Sequence, residues 1–367
     1  MAALTRDVIR KLAGHRGGSG GVVSLYLDVD GRRYVRTKDY ELHLDQLLRE
    51  AREKHGAHPS DIEQLSEQLR DIDRSRVRGV AAFSSATNGL LERFDLPVPV
   101  RNHVAVNASP HVKQLEAIVE HYEPFAVLMV DRQLFRMFLF DLGELVDKTE
   151  FTDPLPRHED DKGDWRRDHV QDHVEAAVHQ HLRRAAQRAF EVFQEHEFAH
   201  LIVSAADDIA NEVERELHSY LRERITARLN LPIHAREPEI QAAALEVADR
   251  VEVQREAAAV QRLRDAVGSG NGGVAGLDNV LAALVERRAD TLLVSDGFEA
   301  PGWRCLECGH MGTRGRACPQ CSAAMNQVDD VVEEAVEGAL AQGCRVLVCR
   351  EVADLDVLGR IGALLRF

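Results

Sequence analysis

Aromatic residues are scarce in this 367-residue chain, at 5%, so Leu, Val, Ile and Ala must fill most of its cores. Positive charge is also short. The 46 Lys and Arg stand against 61 Asp and Glu, for a formal net charge of −15. Phosphate attraction needs a positive face, so a protein that coats nucleic acid over its whole surface is excluded, whereas RNA contact through local basic patches is not. Long apolar runs are missing. The longest are strand-length, far below the ~20 residues of a membrane span. Met1 to Arg10 carries Arg6, Asp7 and Arg10 where an export signal needs an unbroken apolar stretch. No membrane association is expected, and the expected compartment is the cytoplasm. No G-x-x-x-x-G-K-[ST] loop occurs, which excludes a P-loop GTPase, and no serine-centred nucleophile elbow is present.

Hydrophobic residues make up 44% of the chain and charged ones 29%, enough for two or three domains with real cores. The six cysteines are not spread like a disulfide framework. Four form two C-x-x-C pairs, Cys305-Leu-Glu-Cys308 and Cys318-Pro-Gln-Cys321. Zinc prefers a tetrahedron of thiolates, and a C-x-x-C turn puts two sulfurs on one ion. Gly309, Gly312 and Gly315 let the backbone turn around it. Four cysteines close the shell, so the expected cofactor is one structural Zn2+ in a small ribbon, residues 303–325. Cys344 and Cys349 flank an apolar run that reads as a core strand. Buried thiols and a metal knuckle both fit a reducing cytosol.

Helices alternate with short strands along the chain, which makes the class α/β. The reading is three domains, each a mixed sheet flanked by helices: 1–122, 123–250 and 251–367, the last carrying the ribbon. Val22–Leu27 and Gly79–Phe83 read as strands around a helical region, Tyr40 to Arg70. Phe125–Asp131 and Leu134–Phe140 read as a hairpin. A polar loop follows, then a helix from about Arg166 to Phe193 with apolar positions at steps of three and four. His200–Ser204 reads as a strand and Ala206 to Leu229 as another helix. A charged helix, about Glu239 to Ala266, leads to the third domain. There the pattern predicts a helix at Leu277–Glu286, a strand at Thr291–Val294, a helix at Val328–Gln342 and a strand at Val346–Val348. Gly268–Gly273 formally fits G-x-G-x-x-G, but a helical segment precedes it where a dinucleotide site needs a strand, so it reads as a turn.

Gly276-Leu-Asp-Asn-Val-Leu-Ala-Ala-Leu284, Ala289-Asp-Thr-Leu-Leu-Val-Ser295 and the closing Ile361-Gly-Ala-Leu-Leu-Arg-Phe367 resemble the third domain of the archaeal and eukaryotic class-1 peptide release factors and their relative Pelota. Archaeal members also insert a cysteine-paired minidomain after this strand. The Phe125–Asp131 strand, the hairpin, the Leu155-Pro156 loop and the long helix match that family's second domain in order and spacing. The first domain matches only loosely. Bacteria carry divergent proteins of this type, some acting on idle or stalled ribosomes. The departures bear on function. The loop where release factors carry Gly-Gly-Gln here reads Pro156-Arg-His-Glu-Asp-Asp-Lys-Gly-Asp-Trp-Arg-Arg167, and the stop-codon motif Asn-Ile-Lys-Ser is absent. The resemblance therefore implies binding where a tRNA would sit, the ribosomal A site, without stop-codon reading or peptide release. It also implies rRNA contact, a translational GTPase and tRNA as further partners, and action as a monomer.

Two segments are candidate RNA contacts. In the middle loop, Arg157, Lys162, Arg166 and Arg167 can pair with phosphates, Trp165 can stack on a base, and His158 and Gly163 lie between them. In the first domain, Arg32, Arg33, Arg36 and Lys38 form a basic stretch after the first strand. The rival reading is a peptidyl-tRNA or tRNA hydrolase or nuclease, for which His158, Glu159, Asp160 and Asp164 would supply the acid–base groups. His169, His173, His179 and His181 read as a polar helix face that titrates near neutral pH. A scaffold for protein partners is the third reading.

Overall fold

The computed structural model describes residues 4–18, 20–70, 72–75, 77–155, 167–350 and 352–366, with backbone alone at 37 and 167–171. Two compact units emerge, one from Met1–His121 with Glu252–Phe367 and one from Tyr122–Val251. No helix among the described residues is long and apolar enough to cross a membrane.

The N-terminal part runs α1 (Arg6–Ala13), β1 (Val22–Asp28), α2 (Thr37–Glu53), α3 (Pro59–Arg70), β2 (Gly79–Ser85), β3 (Leu90–Leu96), β4 (His103–Asn107) and α4 (Lys113–His121). The expected helical region from Tyr40 to Arg70 is two helices, parted by Gly56 at φ +67° and by Pro59. The sheet order is β3-β2-β1-β4, and every pairing is antiparallel. The expectation of a mixed sheet thus fails in this domain, because its strands follow one another through hairpins and helices that return antiparallel. Val23, Leu25 and Leu27 of β1 bury one face against Leu44, Leu48 and Leu65 of α2 and α3. On the other face, Tyr26 donates its hydroxyl to the His111 carbonyl at 2.5 Å.

The middle unit runs β5 (Phe125–Val130), β6 (Leu134–Asp141), β7 (Glu144–Thr152), α5 (Arg167–Glu195), β8 (His200–Ser204), α6 (Asp207–Glu216), α7 (Ser219–Arg222) and β9 (Ile225–Leu229). The hairpin lies where the alternation predicts it, with Phe125 opposite Phe140. The sheet order is β7-β6-β5-β8-β9, antiparallel from β5 outward through β7 and parallel from β5 through β9. Leu182, Ala185 and Ala189 of α5 pack on one face of it. Ile240, Ala244 and Val247, from the helix that follows, pack on the other. The single helix expected from Ala206 to Leu229 is corrected to two helices and a strand. Leu217 turns extended at φ −61° and ψ 142°, and Ile225–Leu229 then adds to the sheet beside β8.

α8 (Glu237–Gly268) supplies residues 237–251 to the middle unit and 252–268 to the other. β10 (Gly273–Ala275), α9 (Leu277–Val285), β11 (Ala289–Ser295), β12 (Gly302–Arg304), β13 (Met311–Gly312), β14 (Asn326–Val328), α10 (Val331–Ala341), β15 (Arg345–Cys349), α11 (Ala353–Val357) and β16 (Ile361–Leu365) complete the chain. The main sheet is β10-β16-β11-β15, with β11 and β15 parallel and the rest antiparallel. Gly270 and Gly272 turn with positive φ between α8 and β10, so the glycine cluster is a turn, as expected. Cys344 and Cys349 are buried at the ends of β15, and burial pushes the Cys349 thiol up to about 12.

The N-terminal part of this unit meets the C-terminal part through α10, whose Glu333, Glu334 and Glu337 are all buried. Glu333 accepts the backbone N–H of Val112 at 2.5 Å and of Lys113 at 3.1 Å. Glu337 accepts from the Ser109 hydroxyl, and Glu334 pairs with Arg304. Burial pushes the Glu333 carboxyl up to about 7 and Glu337 to about 8. A second tie is Glu120, a buried carboxylate paired with Arg6, with Arg255 at 2.6 Å and with Arg345 at 3.2 Å.

Candidate functional site

The cysteine cluster is built by a three-stranded sheet, order β13-β12-β14. Each C-x-x-C pair forms the same loop. In the first, Gly309 N–H donates to the Cys305 carbonyl at 3.0 Å and Cys305 N–H to the His310 carbonyl at 2.8 Å. In the second, Ser322 N–H donates to the Cys318 carbonyl at 2.9 Å and Cys318 N–H to the Ala323 carbonyl at 2.8 Å. Both loops need a left-handed residue after the second cysteine, supplied by Gly309 at φ +77° and Ser322 at φ +61°. Cys305 and Cys318 are buried with Met325 beneath Trp303 and Ala323, while Cys308 and Cys321 are exposed.

All four sulfurs lie within 4.8 Å of one another. The Cys305–Cys321 and Cys308–Cys318 pairs stand 3.4 Å apart. A tetrahedron with metal–sulfur bonds of about 2.3 Å has edges of roughly 3.8 Å, so the four cysteines fit a single metal ion. Among the described residues no other cluster brings three metal-ligating groups this close. The ribbon rests on α10 through Gly302, where a Cβ would stand 2.5 Å from that of Val331.

The basic stretch follows β1. Arg32, Arg36 and Lys38 are exposed. Arg33 is also exposed, but its Nη1 donates to Asp28 Oδ2 at 3.0 Å. The stretch is shaped by Asp30, whose Oδ1 accepts the Arg32 N–H at 3.0 Å and whose Oδ2 accepts Arg78 Nη2 at 2.9 Å. Burial would raise the Asp30 carboxyl, and those two donors outweigh it, holding the carboxyl below its ordinary value.

Arg157, His158, Glu159, Asp160, Lys162, Gly163, Asp164, Trp165 and Arg166 lie outside the described residues, and Arg167 is described only as the first residue of α5. The root of this loop was not anticipated from sequence. Asp153 N–H donates to the Gln133 carbonyl at 2.8 Å. The Asp153 carboxylate lies 2.9 Å from His181 Nδ1 and accepts from Arg184, whose guanidinium also sits 4.2 Å over the Phe151 ring. This corrects the reading of the histidines. His181 is buried against the loop root, because one turn of α5 faces β7 there, while His173 and His179 are exposed. Phe151, an apolar residue two positions before Asp153, was the available signal.

Residues 110–250 match the model of bacterial archaeo-eukaryotic release factor family 10. No curated protein matches the chain. Among solved structures, the archaeal translation termination factor aRF1 is similar at 16% identity over 98% of this chain and 96% of that one, with a TM-score of 0.27. Saccharomyces cerevisiae Dom34, a translation termination-like factor interacting with Hbs1, is similar at 11% identity over 81% and 82%, with a TM-score of 0.42. A model of ribosome-bound archaeal Pelota with ABCE1 is similar at 15% identity over 100% and 95%, with a TM-score of 0.43. Residues 110–250 are thus similar to a bacterial family of archaeo-eukaryotic release factors.

Proposed function

We propose that this release-factor-like protein binds idle or stalled ribosomes at the A site, in hibernation, protection or rescue, without releasing peptide. The observation that carries this reading is a release-factor-family middle segment whose loop lacks Gly-Gly-Gln. In that motif the backbone and Gln position water at the peptidyl ester. Here one glycine stands among Arg157, Lys162, Trp165, Arg166 and Arg167, a set suited to grip RNA rather than to activate water. The Asp153–His181–Arg184 clamp supports it by fixing one end of that loop on α5. Arg32, Arg36 and Lys38 serve as a second, local phosphate contact on an otherwise acidic body. The cysteine cluster holds one Zn2+ in a closed shell with a structural role, and the C-terminal part docks a translational GTPase.

The test is co-sedimentation of the pure protein with vacant ribosomes at low and moderate salt. Stoichiometric binding competed by A-site tRNA is expected. The combined change of Lys162, Trp165, Arg166 and Arg167 to Ala should weaken it by 10-fold or more, roughly what losing several phosphate and stacking contacts removes. Unchanged affinity would sink the loop's role. Release of peptide or cleavage of tRNA by the pure protein would instead establish the hydrolase reading.

A further inference from the structure

A cavity of about 330 Å³ lies wholly within the unit formed by the chain's two ends. Residues Asn102 to Asn107 all line it. They include the whole of β4, which ends its sheet and pairs only with β1. Alternate N–H and C=O groups of such a strand point away from its partner. No backbone hydrogen bond among the described residues reaches 103–107 beyond that ladder. Open edges are ordinarily guarded by lysine, proline or a bulge. His-Val-Ala-Val-Asn carries none of these.

The chemistry of the walls is specific. Four carboxylates and no lysine or arginine line the cavity. Asp330 is committed to Lys113 at 3.0 Å and to the first turn of α10, and Glu50 to Lys54 at 2.7 Å. Asp329 is exposed, 3.6 Å from His55 Nδ1, and Glu299 has no hydrogen bond or ion pair among the described residues. On the inner wall the His103 and His111 rings lie 4.7 Å apart. The His111 side chain is 3% exposed, with Nε2 at 3.4 Å from Glu333 and Nδ1 without a partner. His103 Nε2 is also buried and unpartnered. Burial lowers both imidazoles below their usual range, so both are neutral at pH 7. The cavity therefore offers bare ring nitrogens inside and carboxylates at its mouth. A metal fits this poorly, because no three of these ligand atoms converge. A cation carrying several N–H donors fits it well.

We propose that β4 is a docking edge for an extended basic segment of a partner protein. The segment adds as a fifth strand to the first sheet. Main-chain hydrogen bonds supply affinity, and one arginine or lysine side chain enters the cavity, between the two histidines and the Glu299 and Asp329 carboxylates. The volume is too small for a folded element, so the occupant is an extended segment. This inference does not depend on ribosome binding.

The test uses the full zinc-loaded chain and three probes: a capped hexapeptide alternating Val with Arg, its Val/Glu counterpart, and arginine amide. Binding is read by fluorescence anisotropy and amide protection by hydrogen exchange. The Arg peptide should bind at least about 10-fold tighter than either other probe and should slow exchange at 103–107. Glu299→Lys with Asp329→Lys, both on the surface, should cut that affinity about 10-fold with the thermal midpoint unchanged. Equal binding of the Arg and Glu peptides, binding that leaves exchange at 103–107 unaltered, or no binding at about 1 mM would each overturn the proposal. So would zinc binding to the cavity with His103 and His111 as ligands.

Discussion

Gly309 and Ser322 hold the same post in two copies of one loop, and only one of them is a glycine. Nothing stands within 4 Å of a Cβ added at Gly309, so the cost of a side chain there is conformational alone. A left-handed residue other than glycine costs about 1 kcal/mol. Gly309→Ala should therefore speed metal loss to a chelator several-fold, and Ser322→Gly should slow it by a similar factor. Release followed with a colorimetric zinc indicator checks both, and faster loss from Ser322→Gly would show that the serine stabilises its loop in another way. The cysteine cluster was legible in sequence because it is local, two C-x-x-C turns nine residues apart. The strain at Ser322 was not, since no glycine marks it. His181 was misread for a related reason: its partner Asp153 lies 28 residues away, across the loop.

At the scale of elements, α10 departs most from its sequence. Val-Val-Glu-Glu-Ala-Val-Glu opens a helix, as the pattern predicts, and all of Glu333, Glu334 and Glu337 on it are buried. An apolar face can be recognised from spacing, but a buried carboxylate is justified only by donors elsewhere, here Val112, Ser109 and Arg304. The consequence is a pH dependence. Glu333 and Glu337 have folded pKa values of about 7 and about 8, above the ordinary 4.5. Folding thus favours their protonated forms. That contribution is complete below about pH 4.5 and is lost as pH rises through 7 to 8. The His111 ring beside Glu333 is neutral in this range and does not compensate. The thermal midpoint should fall between pH 6 and pH 9, and Glu337→Gln should flatten the fall. A calorimetric series across that range checks it, and a flat wild-type profile would mean that the carboxyls ionise at no cost. Elements whose pattern is set by their own neighbours, the β5–β6 hairpin and α5 among them, were legible. The strand at Ile225–Leu229 was not, because its pairing with β8 overrides a helix-like stretch.

At the scale of the molecule, both cores of the middle unit are closed within it, since every buried residue of the two clusters lies between Phe125 and Val247. Residues 122–251 should therefore unfold cooperatively when made alone, with a sharp urea transition; a broad, non-cooperative one would show that the unit leans on the rest of the chain. The other unit is discontinuous in sequence, and this has a consequence for its synthesis. Ser109 leaves the ribosome 228 residues before Glu337, its partner in the finished protein. At ~5–20 residues per second, that is a wait on the order of 10–50 s. During it the middle unit can fold to completion, while the first sheet, covered on one face by α2 and α3, still lacks the α10 carboxylates that hold Ser109 and Val112. The nascent chain is then a finished domain trailing an unfinished one, and chaperone demand should concentrate on the part that was translated first.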